Sequence, residues 1–197
     1  MKGTLVCFEG LDNSGKTTLV NRLYELLKLD EIPVKVFSFP NKQCLTYNLI
    51  ESYHLEFVDL DPKAAHLLYS ANRWEVHAEI LNYLEKGYIV LLDRYFYSGI
   101  AYSCGYNNID LAWACQVEAG LVVPDITFYF ETSRDIRMAR YNANPEHGRF
   151  DTMEIQEKVE RIYKQLITKS WIIVDGDKSI EDVCNFVSLK INPFILQ

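Results

Sequence analysis

The sequence predicts an α/β fold: a five-stranded parallel sheet with helices on both faces. Three observations carry this expectation. Short apolar runs of strand length alternate with longer segments of helical period. The runs are apolar at successive residues, as in strands covered on both sides. The polar, glycine-bearing segments follow those runs, at the carboxyl edge where such sheets hold their ligands.

Taken in order, Thr4–Glu9 reads as a buried strand, with Leu5, Val6 and Phe8 apolar. Thr17–Leu29 reads as a helix carrying Leu19, Leu23, Leu26 and Leu27 at helical spacing. Val34–Phe39 is a second strand and Leu45–His54 is helical. Proline suits a first helical turn, so one long helix is expected from Pro62 to about Lys86, ending before Gly87. Tyr88–Leu92, Ile126–Glu131 and Trp171–Val174 are the remaining strands. Helices are expected near Tyr97–Tyr102, Ile109–Ala119, Arg134–Tyr141 and Met153–Thr168, with a last one over roughly Ile180–Lys190.

A chain of 197 residues fits one domain spanning 1–197, and no repeat, low-complexity stretch or Pro/Gly/Ser-rich linker divides it. The net charge of −7 argues against the broad basic face of a general nucleic-acid binder. Cations for anionic ligands must therefore be concentrated locally. The five cysteines, Cys7, Cys44, Cys104, Cys115 and Cys184, are odd in number and form no CxxC, which argues against a disulfide framework or a zinc site. They suit a reducing compartment, and a cytoplasmic location is expected. The opening Met1-Lys2-Gly3 runs straight into a strand, with no signal-peptide pattern, and the apolar runs are too short to span a bilayer. No membrane or nucleic-acid partner is expected.

Residues 10 to 17, Gly-Leu-Asp-Asn-Ser-Gly-Lys-Thr, form a complete P-loop between a strand and a helix. The two glycines permit a tight turn and close approach to phosphates. Successive N–H groups make an anion-binding nest, and the following helix points its positive end at the ligand. Lys16 can reach the β- and γ-phosphates, and the Thr17 hydroxyl can serve Mg²⁺. Asp93-Arg94-Tyr95 follows the third strand, where a carboxylate is needed for the metal and an arginine fork can bind phosphate. Asn41-Lys42-Gln43-Cys44 lacks the aspartate of a guanine-reading motif and comes too early in the chain.

With these motifs in view, the chain resembles the thymidylate kinase family, in its eukaryotic and poxviral branch of the P-loop nucleoside monophosphate kinases. The carriers are the P-loop, Phe39-Pro40, the string Leu67-Leu68-Tyr69-Ser70-Ala71-Asn72-Arg73-Trp74-Glu75, Asp93-Arg94-Tyr95 with Ser98-Gly99, Pro124-Asp125, and Asp175-Gly176-Asp177-Lys178. The resemblance implies a P-loop NTPase fold with a lid, transfer of the γ-phosphoryl of ATP to dTMP, Mg²⁺ as cofactor and a homodimer. ATP would be held by Asn13, Ser14, Gly15, Lys16, Thr17 and Thr18, with adenine against Gly176 and Lys178. Thr17 and Asp93 would serve the metal.

For dTMP, the resemblance places Asp12 at the deoxyribose 3′-OH, Tyr69 on the thymine ring and Arg73 at the base edge. Tyr102 would lie under the sugar and Gln116 beside the base. Phe39 and Pro40 would shape the wall, with Ser98 and Gly99 near Arg94, which would bind phosphate. Lys42 stands where the family usually has an arginine, so charge is kept and the fork lost.

Phosphoryl transfer needs positioned cations and exclusion of water. Eukaryotic members commonly carry a basic residue at the P-loop position of Asn13; bacterial members of another type use lid arginines. The lid expected at about 133–150 holds Arg134, Arg137, Arg140 and Arg149, and its stretch Tyr141–Gly148 has loop-like composition. Arg140 or Arg149 is expected to supply the missing charge, Arg149 with a structural or ATP-binding role as its alternative. Two other readings stand beside this one. A deoxynucleoside kinase would need a general base at a 5′-OH; a weakly catalytic binding protein would explain Asn13 and Lys42.

Overall fold

The computed structural model describes residues 2–143 and 148–195. Five strands, β1 (Thr4–Gly10), β2 (Val34–Ser38), β3 (Ile89–Asp93), β4 (Ile126–Glu131) and β5 (Ile172–Asp175), form one sheet in the order β2-β3-β1-β4-β5. Every neighbouring pair is parallel. The described helices are α1 (Lys16–Leu29), α2 (Tyr47–His54), α3 (Pro62–Glu75), α4 (His77–Glu85), α5 (Phe96–Asn107), α6 (Leu111–Val117), α7 (Arg134–Ala143), α8 (Met153–Leu166) and α9 (Ile180–Ile195).

The period-2 alternation of β1 divides the core into two layers. Leu5 and Cys7 face a layer completed by Ile80, Leu84, Ile100 and Cys104. Val6 and Phe8 face the other, with Leu19, Leu23, Val187 and Ile191. Both faces are thus covered, which explains why β1 and β3 are buried throughout their length. The central packing includes Phe8 stacked on Phe128 of β4, centroids 5.4 Å apart and planes 9° from parallel.

The expected single helix from Pro62 to Lys86 is instead two, α3 and α4, divided at Val76, whose φ of −107° leaves the helical range. The break lets α3 turn Asn72 and Arg73 inward while α4 lays Ile80 and Leu84 on the sheet. No glycine or proline marks it in the sequence. Helix α5 extends beyond the expected Tyr97–Tyr102 at both ends.

Replacing Phe128 by alanine should remove the stacked pair and leave a cavity at the sheet centre. We expect a loss of about 3–5 kcal/mol, read as a lower denaturant midpoint at unchanged slope.

Candidate active site

Strand β1 ends at Gly10, whose φ is 145° and where a Cβ would stand 3.0 Å from the Phe130 carbonyl oxygen. The loop turns through Asn13 at φ 60° and reaches Gly15 at φ 98°, immediately before α1. Lys16 is buried and its Nζ donates to the Leu11 carbonyl at 2.6 Å and to Ser14 Oγ at 2.9 Å. Burial, and then the Arg94 charge nearby, lower its pKa to about 7. Its hydrogen-bond acceptors are neutral, so a phosphate brought to the loop would draw the amine to its ammonium form with no direct carboxylate partner competing. Thr17 Oγ1 donates to Asp93 Oδ2 at 2.6 Å. Asp93 Oδ1 is buried with no hydrogen-bond partner among the described residues.

The turn carrying Asp93 is fixed from beneath by Glu9, a fully buried residue of β1. Its Oε1 accepts from the backbone N–H of Tyr95 at 2.9 Å and of Ser98 at 3.2 Å. Its Oε2 accepts from Ser98 Oγ at 2.5 Å and Tyr163 Oη at 2.8 Å. Glu9 thereby satisfies two of the free N–H groups at the start of α5, as a cap would, but from a neighbouring strand. Arg94 takes a left-handed φ of 65° on this support. Its Nη1 donates to the Gly10 carbonyl at 2.9 Å and to Ser98 Oγ at 3.1 Å. Its Nη2 donates to Asp12 Oδ1 at 2.5 Å.

Asp12 is the meeting point of three elements. Its Oδ2 accepts from Tyr102 Oη of α5 at 2.7 Å and Gln156 Nε2 of α8 at 2.6 Å. Its backbone N–H donates to Gln156 Oε1 at 3.1 Å. Burial opposes ionisation of Asp12, but Arg94 and Lys16 outweigh it and hold the carboxyl below the usual range.

These groups line a continuous cleft of about 1370 Å³ beyond the strand ends. Asn13, Ser14, Gly15, Lys16, Thr17, Thr18, Gly176 and Lys178 line it, as do Phe39, Pro40, Lys42, Tyr69, Arg73, Ser98, Gly99 and Tyr102. Phe39-Pro40 is a cis peptide. The loop after it is held by Asn72, whose Oδ1 accepts from Asn41 N at 2.6 Å and whose Nδ2 donates to the Asn41 carbonyl at 3.1 Å. Gln116 is not brought to the cleft: it is exposed on α6, while Glu118 just beyond that helix is buried against Arg73.

The lid arginines separate clearly. Arg140 lines the cleft and bridges two loops, donating from Nη1 to the Asn13 carbonyl at 3.0 Å and from Nη2 to the Gly176 carbonyl at 3.2 Å. Arg149 lies elsewhere. It donates to the Tyr53 carbonyl at 2.7 Å, the Val58 carbonyl at 3.1 Å and Asp59 Oδ1 at 2.7 Å, closing the end of α2. These contacts give Arg149 a structural role in this arrangement and leave Arg140 as the lid arginine at the cleft. Arg137 donates to the Thr132 carbonyl and Arg134 pairs with Glu157 on the surface. Of the stretch expected to loop, Tyr141–Ala143 end α7; residues 144–147 lie outside the described residues.

Sequence reasoning missed Glu9, Asn72 as a loop latch, Glu118 and Gln156. Asn72 is signalled in the sequence by its neighbour Arg73, and Glu9 by being a glutamate within a largely apolar strand.

A parallel sheet ordered β2-β3-β1-β4-β5, a P-loop after β1, an acid and an arginine after β3, and one cleft lined by all three define the P-loop nucleoside monophosphate kinase fold. The family model described as Thymidylate kinase matches residues 8–187. The thymidylate kinase of Plasmodium falciparum is 36% identical over 98% of this chain and 93% of its own. The human thymidylate kinase is 32% identical over 92% of this chain and 86% of its own. The solved thymidylate kinase of Candida albicans superposes with a TM-score of 0.89 at 30% identity, covering 98% of this chain and 92% of that one. The chain belongs to the thymidylate kinase family.

Glu9→Gln would set an amide N–H₂ against donors already committed to a carboxylate. We expect stability to fall by about 1–3 kcal/mol in denaturant titrations, with a loss of activity as the Asp93–Arg94 turn shifts.

Proposed function

We propose that this protein transfers the γ-phosphoryl of ATP to dTMP, giving dTDP and ADP on the route to dTTP for DNA synthesis. The observation that carries this is the single cleft joining the phosphate cradle of Lys16 and Thr17 to the aromatic and cationic walls of Tyr69 and Arg73. ATP lies on the P-loop with adenine toward Gly176 and Lys178. Tyr69 covers the thymine, Arg73 meets its edge, Asp12 and Tyr102 meet the sugar, and Lys42 and Arg94 attract the monophosphate. Arg94 reaches that phosphate by exchanging part of its hold on Asp12. The chemistry then requires alignment of two anions and neutralisation of charge spread over the moving phosphoryl group.

The residues present fit Mg²⁺. A hydroxyl and a buried carboxylate meet at the cradle, and Asp93 Oδ1 has no partner among the described residues. Thr17 and Asp93 would hold the ion, which when bound neutralises the β- and γ-phosphate oxygens. Arg140 is the lid cation of this reading, because its two anchors are the P-loop and the adenine loop. We also place the protein in the cytoplasm as a homodimer, on the usual form of the family. Among the described residues no helix is long and apolar enough to cross a membrane.

A deoxynucleoside kinase would not need the cations Lys42 and Arg94 that stand ready for an acceptor monophosphate. A coupled assay with ATP should give product from dTMP and none from thymidine, with dUMP as a second control; turnover of thymidine in place of dTMP would replace this reading. Arg140→Ala should lower kcat by roughly tenfold or more. Arg149→Ala should lower the melting temperature and affect kcat far less. Equal kcat for wild type and Arg140→Ala would remove Arg140 from the reaction.

A further inference from the structure

One end of the cleft is built around a buried ion pair. Arg73 of α3 is 2% exposed and Glu118, after α6, is 5% exposed. Arg73 Nε donates to Glu118 Oε2 at 3.0 Å, and Nη2 donates to Oε1 in a shorter contact. Ser70 Oγ donates to Glu118 Oε2 at 3.3 Å, and His66 Nε2 lies 3.4 Å from Oε1. The guanidinium also lies close against Gly99 of α5: a Cβ there would stand 2.5 Å from Nη2 and 2.9 Å from Nη1. Glycine is a poor helix former, and here its bare Cα is the seat of the arginine. Nε and Nη2 are engaged, whereas Nη1 has no hydrogen-bond partner among the described residues, and Arg73 lines the cleft.

A guanidinium offers only donors, in a fixed planar fork. Held along one edge by a carboxylate and seated against a backbone, it cannot rotate to accommodate its ligand. We propose that Glu118 is the positioning residue for base selection: it fixes Arg73 so that Nη1 donates to a pyrimidine bearing oxygen at ring position 4 and opposes one bearing an amino group there. A keto oxygen accepts that donor; the amino group of a cytosine sets donor against donor and leaves a buried N–H without a partner. Because Glu118 already compensates the buried cation, the reader is assembled before the base arrives. His66 supports this arrangement. Burial lowers its pKa, with Glu118 opposing, so a neutral ring sits beside the carboxylate and does not compete with Arg73 for it. This inference rests on the base lying at Tyr69 and Arg73, as proposed above.

The test is titration calorimetry of the full chain with dTMP, dCMP and ATP, together with a separate assay for dTDP. Wild type should bind dTMP more tightly than dCMP. In Glu118→Gln the ratio of the two Kd values should fall by about tenfold or more, while the Kd for ATP stays within about twofold. A general loosening of the fold would weaken dTMP and dCMP alike and leave their ratio intact. Gly99→Ala displaces the guanidinium without touching Glu118 and should lower the same ratio, so the inference stays testable if Glu118→Gln does not fold. An unchanged ratio in either folded variant, or no wild-type preference between dTMP and dCMP, overturns it. Wild type that prefers dTMP but makes no dTDP defeats the proposed reaction alone. Wild type that makes dTDP while the folded variants keep the preference defeats the role of Glu118 alone.

Discussion

Four N–H and O–H donors converge on the buried side chain of Glu9, and the geometry of the site descends from that convergence. Two are backbone N–H groups at the start of α5, one is the Ser98 hydroxyl and one the Tyr163 hydroxyl. A carboxylate placed where water cannot reach is costly unless its lone pairs are filled. Here they are filled by the very segment that must change from strand to helix. The turn at Asp93 and Arg94 is therefore held at a defined height above β1. From it, Asp93 meets Thr17 and Arg94 meets both Gly10 and Asp12. The P-loop and the Asp93–Arg94 turn are aligned because one strand supplies the first and anchors the second.

The chain carries a net charge of −7, yet its cleft is lined by Lys16, Lys42, Arg73, Arg94 and Arg140. The cations differ in what compensates them. Arg73 is held by a buried carboxylate along one edge, and Arg94 shares Asp12 with Tyr102 and Gln156. Among the described residues, Lys16 and Arg140 donate to neutral oxygens. The first two are suited to fixing direction, since their partners limit how they move. The latter two retain most of their attraction for an incoming anion. Local compensation, more than total charge, decides which cation positions and which neutralises.

The fold was legible because strands buried on both faces write continuous apolar runs, and because a P-loop is contiguous. All five strands lie where the pattern placed them, to within a residue or two. The division of α3 from α4 was not legible: Val76 carries no breaking signal, and its conformation is set by where Arg73 and Ile80 must point. Placement at the cleft was legible where residues belong to a contiguous motif, as for Asp12, Lys16, Thr17, Asp93 and Arg94. It was not legible where a role depends on what lies across the cleft. Arg140 and Arg149 look alike in sequence, but one points to the P-loop and the other closes α2. Gln116 and Glu118 lie two residues apart, and the path of the chain beyond α6 decides which is buried. Gln156 is 144 residues from Asp12, a separation no local pattern spans.

The hold of Arg140 has a consequence for how such a chain can change over time. Both of its acceptors, at residues 13 and 176, are main-chain carbonyls. Every amino acid brings that oxygen, so side chains at these positions can drift without releasing the arginine. Residue 13 is constrained by its left-handed φ of 60°, which asparagine tolerates well; it has no need to match the arginine chemically. A lineage could therefore exchange the side chain at residue 13 while this bridge stayed in place.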